Sequence, residues 1–462
     1  MIVMKFGGSS LATAEHLRQV ADLCTRAAKT PCVVLSALGA TTDRLLHIER
    51  LAGSDGHDAA TAALEALFLE VRALTSEVLQ SPDDCLAGLQ RMQQDLALLL
   101  RGIAKNGASA RATDAVLAHG ERIATTLLTA LLRQRGADAI EVDARDVLRT
   151  DATFGRARPD RGQIRQLAHQ CIGPFLGRKT IVVTQGFVGR SADGATTTLG
   201  RGGSDWTAAL LGAALGADEV QIWTDVEGVL TADPRVVRDA MPIAEMSPEE
   251  AAELAAFGAR VLHPSTIQPA VDRGIPVTVR HTMRPDGAFT RIDHRPHRPA
   301  RGIAALAARG PVSVMTMTSR RMLAASGYLA KLFAVFGEHE VPIDLIATAE
   351  VSVACTVEAD APIPRLIAAL DGLAHVEVHE DCAIVAAIGD GLQRTERALE
   401  RACRALHPIE PVLVSFGGNS RNLSFVVQRD QQEQALRDLH DEFFGAREAS
   451  PLAATTSEGQ TP

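Results

Sequence analysis

The chain has 462 residues, 46% hydrophobic and 22% charged, with a formal net charge of −9. That describes a globular chain long enough for about three domains, without the basic footprint that a nucleic-acid or anionic-membrane partner requires. No apolar stretch is long enough to span a bilayer. Aromatic residues make up only 3%, so the cores are built from Ala, Leu, Val and Ile. The seven cysteines are scattered without a CxxC pair, which fits reduced thiols in a cytoplasm better than a disulfide framework or a zinc site. No charged segment followed by an apolar one opens the chain, so no secretion leader is expected.

Short β-rich runs alternate with helical patterns over the first 280 residues or so. Strands are expected at Ile2–Phe6, Cys32–Ser36, Ala139–Asp143, Thr180–Gln185, Glu219–Trp223 and Val277–Arg280. Helices are expected at Ala14–Lys29, Ala59–Leu79, Ala110–Arg135, Asp205–Leu215 and Pro248–Val261. Val/Ile runs without alternation, separated by helices, predict an α/β fold with a mostly parallel sheet sandwiched by helices. Ligands of such sheets sit at the carboxyl ends of the strands, where the glycine and hydroxyl loops fall. Residues 1–282 form this first domain. The Arg/Pro-rich text of residues 283–309 reads as an extended linker. Two successive βαββα patterns follow, at 310–381 and 382–446, and predict a tandem of small ferredoxin-like α+β modules. Residues 447–462 read as a disordered tail.

Two stretches carry the chemistry. Lys5-Phe6-Gly7-Gly8-Ser9-Ser10 follows an apolar strand and precedes a helix. Glycines there let the backbone approach an anion, the helix dipole favours negative charge, and Lys5 adds a mobile cation. No Walker A pattern occurs, which excludes the P-loop class. Thr196-Thr197-Thr198-Leu199-Gly200-Arg201-Gly202-Gly203-Ser204-Asp205 repeats the design with a guanidinium suited to grip a carboxylate in a fork. Asp205 opens a helix and is expected to cap it as well. Glu121 lies in His119-Gly120-Glu121, where a mid-helix glycine implies close approach of another group and the carboxylate suits an ammonium. Asp225 and Asp233 lie in an Asp/Gly/Pro-rich stretch, where simple turn formation competes with a functional role. His119 and His263 are expected to be structural, and no protein-bound transition metal is expected. Two anion-holding loops on one sheet edge describe a phosphoryl-transfer site.

Taken together these motifs resemble the aspartate kinases of the amino-acid kinase family, and among them the monofunctional, lysine-regulated class. The resemblance rests on residues 5–10, on Leu35-Ser36-Ala37 with Thr42, and on residues 119–121. It continues through Phe154-Gly155-Arg156-Ala157-Arg158-Pro159-Asp160, residues 184–189, 196–205, 223–229 and 233–236, and 257–264. Met322, Gly327, Asp344, residues 350–354 and 422–425 extend it into tandem ACT domains. The resemblance implies ATP-dependent phosphorylation of the L-aspartate β-carboxylate, with Mg²⁺ carried by the nucleotide. It implies that Lys5 and Asp205 are catalytic and that Thr42, Glu121, Arg201 and Ser204 bind aspartate. Gly7, Gly8, Thr224, Asp225, Leu230, Arg235, Arg260 and Val261 would hold the nucleotide. Met322, Gly327, Tyr328, Leu329, Asp344 and Glu350 would take an amino-acid effector, lysine or threonine, and the ACT pair would make at least a homodimer.

The chain departs from that class at four positions. Arg260 replaces a lysine and Leu230 a tyrosine beside the nucleotide, while Pro342 and Ala349 replace serines near the effector. Two rival readings stand beside this one. An amino-acid kinase for glutamate, acetylglutamate or carbamate would share the sheet and glycine loops but not His119-Gly120-Glu121 with an ACT tail. A non-enzymatic amino-acid sensor would not need Lys5, Glu121, Arg201 and Asp205 intact.

Overall fold

The structure, a computed structural model, describes residues 1–54, 57–258, 264–294, 302–323, 325–392, 395, 397–418 and 420–445. They divide into two compact units, the first drawing on 1–229, 242–252 and 260–297 and the second on 230–241, 253–259 and 298–462.

The first unit carries strands β1 (Ile2–Phe6), β2 (Pro31–Leu35), β3 (Ala139–Val142), β4 (Arg149–Thr150), β5 (Ile181–Gln185), β6 (Val188–Ser191), β7 (Thr196–Thr198), β8 (Glu219–Thr224), β9 (Glu245–Met246), β10 (Val277–His281) and β11 (Thr290–Ile292). Eight form one sheet in the order β3-β5-β2-β1-β8-β10-β11-β9. Neighbours are parallel from β3 to β10, and β11 runs antiparallel to β10. Val3, Val33, Val34, Val182 and Val183 are fully buried, as expected of unalternating strands covered on both faces. The register sets Phe6 opposite Leu35 and Trp223, and Leu35 opposite Gln185, so four strands end level. The Phe6 and Trp223 rings stack with centroids 5.9 Å apart.

The helices that bear on the site are α1 (Ala14–Arg26), α2 (Thr41–Gly53), α3 (His57–Val78), α4 (Asp83–Asn106), α5 (Ala110–Leu117), α6 (His119–Gln134) and α7 (Gly203–Leu215). Leu17, Leu45, Phe68, Leu89 and Leu127 join Phe6 in one core. The single helix expected over 110–135 is two helices, with Ala118 between them. Helices α2 and α4 and the small sheet β4-β6-β7 were not foreseen.

The second unit holds β12 (Ala305–Thr318), β13 (Ile346–Thr348), β14 (Ser352–Glu358), β15 (His375–Ile388), β16 (Leu413–Phe416) and β17 (Asn422–Gln428). They form a single antiparallel sheet in the order β13-β14-β12-β15-β17-β16. The sequence predicts a tandem of two α+β modules, and the structure adds how they join: β12 and β15, each 14 residues long, run through both halves, with a register shift between Arg309 and Val312. One core gathers Met315, Phe336, Val353 and Leu366, and the other Leu306, Val385, Phe425 and Leu436. The second half therefore takes a strand from Ala305–Arg309, residues read from sequence as linker. The expected linker, 283–309, also includes β11. Ala232 and Val237 pack into the second core, and Thr231 Oγ1 lies 3.0 Å from His440 Nε2. Among the described residues no helix is long and apolar enough to cross a membrane.

Candidate active site

Level strand ends bring three loops of the first unit together. The Gly7 amide donates to the Trp223 carbonyl at 3.1 Å, Ser36 to Phe6 at 3.1 Å and Gly186 to Leu35 at 2.8 Å. After Gly7 the chain makes a 3₁₀ turn over Gly8–Leu11, and α1 begins only at Ala14, capped by the Thr13 hydroxyl. The dipole of α1 therefore does not sit behind Gly7-Gly8, a correction to the sequence reading; the loop amides and Lys5 are what this turn offers an anion. A Cβ on Gly8 would lie 2.8 Å from the Gly39 carbonyl oxygen, whereas on Gly7 the nearest atoms would be 3.7 Å away. Gly8 serves loop-to-loop packing, whereas at Gly7 a side chain would meet only ordinary contacts, with the Lys5 ammonium and the Trp223 carbonyl.

These loops enclose a cavity of about 350 Å³. Six of the sequence-predicted residues line it: Lys5, Gly8, Thr42, Glu121, Ser204 and Asp205. Lys5 Nζ lies 2.7 Å from Asp205 Oδ1, and both side chains are mostly buried. The N-cap of α7 is Gly202, in the left-handed region at φ 71°, with no side-chain cap. Asp205 is therefore not the cap expected from sequence: a residue inside the first turn projects sideways, and its carboxylate meets Lys5 instead. Ser204 is fixed from below, because a Cβ on Gly186 would fall 2.6 Å from its side chain. Phe187, also lining the cavity, holds φ 65°, a conformation that costs a bulky residue of order 1–3 kcal/mol and tends to persist at functional sites.

Glu121 is 3% exposed. One oxygen accepts the Ala37 amide at 3.3 Å, and the other, Oε2, is buried with no hydrogen-bond partner. Burial pushes its carboxyl up to about 8, against the partial relief of backbone hydrogen bonds. The group approaching Gly120 is the Ala37 methyl, 2.8 Å from where a Cβ would stand. That contact pins α6 to the loop after β2. His119 is buried and its Nδ1–H donates to the Ala115 carbonyl at 2.9 Å. Burial lowers its pKa to about 4, so it is neutral and structural.

Other predicted residues stand elsewhere. Arg201 is exposed and does not line the cavity. Thr224 Oγ1 donates to Asp225 Oδ1 at 3.0 Å at the end of β8. Leu230 and Arg235 belong to the second unit, and Arg235 pairs with Asp233 at 2.6 Å while its side chain is 79% exposed. Arg260, Val261 and His263 lie outside the described residues, as does the tail 447–462. Met322 is half-buried, Leu329 and Glu350 are exposed, and Gly327 holds φ 78° before the helix Tyr328–Glu338. The Tyr328 hydroxyl donates to the Leu373 carbonyl. Asp344 is gripped by both guanidinium nitrogens of Arg309 at 3.2 and 3.1 Å. Phe187, part of the 184–189 motif, was given no role of its own from sequence because a strained backbone angle has no residue signature. Among the described residues no cluster of three or more His, Cys, Asp or Glu is placed to hold a metal ion.

A parallel sheet whose level strand ends carry glycine loops, a lysine–aspartate pair and a buried carboxylate defines the class. Residues 1–281 match the amino acid kinase family, and the chain belongs to it. Along nearly its whole length it is similar to the aspartokinases within that family. It is 37% identical over 453 residues to lysine-sensitive aspartokinase 3 of Escherichia coli, covering 96% of this chain and 99% of that one. Two crystal structures of E. coli aspartokinase III share its fold at 37% identity and 96% of this chain. The form with aspartate and ADP superposes at a TM-score of 0.81 over 100% of its own chain. The form with lysine and aspartate does so at 0.80 over 99%.

Proposed function

We propose that this chain is an aspartate kinase: it transfers the γ-phosphoryl group of ATP to the β-carboxylate of L-aspartate. A carboxylate oxygen attacks the γ-phosphorus, the bond to the β,γ-bridging oxygen breaks, and ADP and 4-phospho-L-aspartate leave. This is the first step toward the aspartate-derived amino acids. The observation that carries the reading is the Lys5–Asp205 pair, sharing one cavity with Glu121, whose buried Oε2 has no hydrogen-bond partner.

The reading gives each residue a task. Lys5 holds charge where the transferring phosphoryl group develops it, and Asp205 fixes the direction of that ammonium. Glu121 offers its buried oxygen to the substrate ammonium. Thr42 and Ser204 supply hydroxyls from the cavity wall, and Arg201, on a glycine-flanked loop, takes a substrate carboxylate. Gly7 and Gly8 face the phosphates, while Thr224, Asp225, Leu230, Arg235, Arg260 and Val261 hold the rest of the nucleotide. Mg²⁺ carried with the nucleotide would supply neutralisation of the phosphate charge.

The reading extends to a cytoplasmic, at least dimeric enzyme whose ACT pair takes lysine or threonine as effector through Met322, Gly327, Tyr328, Leu329, Asp344 and Glu350. ADP release measured with aspartate, glutamate, acetylglutamate and carbamate tests the core of it. Release dependent on aspartate alone is expected; release with another acceptor, or with none, overturns it.

A further inference from the structure

The motif around Phe154-Gly155 has no task in the scheme above, and its partner is Asp114 on α5. Asp114 is 1% exposed. Its carboxylate accepts the Thr198 hydroxyl at 2.7 Å, the Thr198 amide at 2.8 Å, and the Gly155 amide at 3.1 and 3.0 Å on its two oxygens. Thr198 ends β7, and Leu199-Gly200-Arg201-Gly202 follows it at once. Two further contacts join the same pieces. The Ala157 amide donates to the Thr198 carbonyl at 2.9 Å, and a Cβ on Gly200 would stand 3.0 Å from the Gly155 carbonyl oxygen. Helix α5 also holds the far end of the β6–β7 hairpin, where Arg111 pairs with Asp193 at 2.6 Å. Three backbone segments thus meet on one buried carboxylate just before the arginine loop, and its helix leads through Ala118 to Glu121.

We propose that Asp114 is a positioning residue for aspartate: it sets where the Arg201 loop leaves β7, relative to the helix that presents Glu121. This rests on the reading of Arg201 as a substrate-carboxylate ligand. A carboxylate can accept from all three donors; an amide presents its own N–H₂ to one of them and breaks the junction. The loop then departs from β7 at a different angle, and aspartate loses its grip while the nucleotide side is untouched.

The test measures KM for aspartate and for ATP in Asp114→Asn, Arg201→Ala and their double variant, with thermal melting of each. Asp114→Asn is expected to raise the aspartate KM at least about tenfold, the equivalent of one lost charge-assisted contact, with the ATP KM nearly unchanged. The double variant is expected to match Arg201→Ala alone, since the two act through one loop. Additive effects, or equal rises in both KM values, overturn the proposal. If Arg201→Ala raises the aspartate KM and Asp114→Asn does not, the positioning role fails while the reading of Arg201 stands. An unchanged aspartate KM in Arg201→Ala fails the reading itself. Thr198→Val removes one hydroxyl donor and keeps the shape, so it serves where Asp114→Asn does not fold. It should shift the aspartate KM in the same direction by a smaller factor, and an unchanged value there overturns the proposal.

Discussion

The ammonium of Lys5 stands 2.7 Å from the carboxylate of Asp205, joining the end of β1 to the first turn of α7 between residues 200 positions apart in the chain. The pair is mostly shielded from water, so its geometry is held rather than sampled, and the lysine is aimed before any phosphate arrives. Lys5→Met is expected to lower kcat by roughly a hundredfold or more while changing both KM values little, because charge on the phosphoryl group peaks in the transition state. Steady-state kinetics checks this, and wild-type turnover in the variant would remove Lys5 from the mechanism.

Glu121 makes the pH dependence specific. Its carboxyl, pushed from 4.5 to about 8 by burial, keeps a proton in the folded protein that the unfolded chain has already lost. In that window the native state binds more protons, so stability falls as pH rises from about 4.5 to about 8. Glu121→Gln, neutral throughout, should flatten that part of the melting-temperature profile. Binding of the substrate ammonium draws the group toward its charged form, so aspartate should release a proton near pH 7 in the wild type and not in Glu121→Gln. Calorimetry in buffers of different ionisation enthalpy reads that proton. Identical release in both proteins would place the ammonium elsewhere.

How much of this was legible in the sequence varied with how local the signal was. β1 was foreseen residue for residue, because a short unalternating Val/Ile/Met run ending in Gly-Gly has one reading on a parallel sheet. Lys5, Glu121, Ser204 and Asp205, singled out by their motifs and the resemblance those carry, all line one cavity. What failed depended on distant partners. Asp205 looked like a helix cap because its pairing with Lys5 is invisible locally. Gly120 announced a close approach without saying that Ala37 makes it. Ala305–Arg309 looked like linker because its strand partner, Ile384–Ile388, lies far along the chain.

Arg201→Ala is expected to raise the aspartate KM by roughly tenfold to a hundredfold, the loss of a charged contact of about 1.5–3 kcal/mol, with ATP binding nearly intact. In the structure Arg201 is exposed beside Gly200 and Gly202, which hold φ 81° and 71°. Glycines on both sides give the guanidinium freedom to turn toward a substrate carboxylate. An unchanged aspartate KM would assign that carboxylate to another residue.

The second unit should associate. Its sheet ends in β13 and β16, whose Ile346, Val414 and Phe416 are 45%, 40% and 38% exposed. Outer strands carrying apolar side chains are open to pairing with another chain, and a second copy is the usual partner. Sedimentation is expected to give at least a dimer at micromolar concentration. A monomer with and without added amino acids would refute this.

Lysine is expected to inhibit this chain less than the lysine-regulated class to which it is similar. Pro342 lacks both a hydroxyl and an amide donor, and Ala349 lacks a hydroxyl, where that class carries serines. Asp344 is already engaged: Arg309 holds both its oxygens, and also reaches Glu358 and the Ala256 carbonyl at 3.2 Å. An incoming ammonium must therefore compete with a bidentate guanidinium for that carboxylate, with fewer hydroxyls to compensate. Each hydrogen bond lost to a charged ligand weakens binding by about 1.5–3 kcal/mol, tenfold or more apiece. Initial rates titrated with lysine, threonine and their mixture decide the matter: a half-inhibitory lysine concentration in the millimolar range or above is expected. Arg309→Ala should then move it, since freeing Asp344 removes the competitor. Strong inhibition by lysine alone in the unmodified chain would mean that the lost hydroxyls lie outside the ligand's reach.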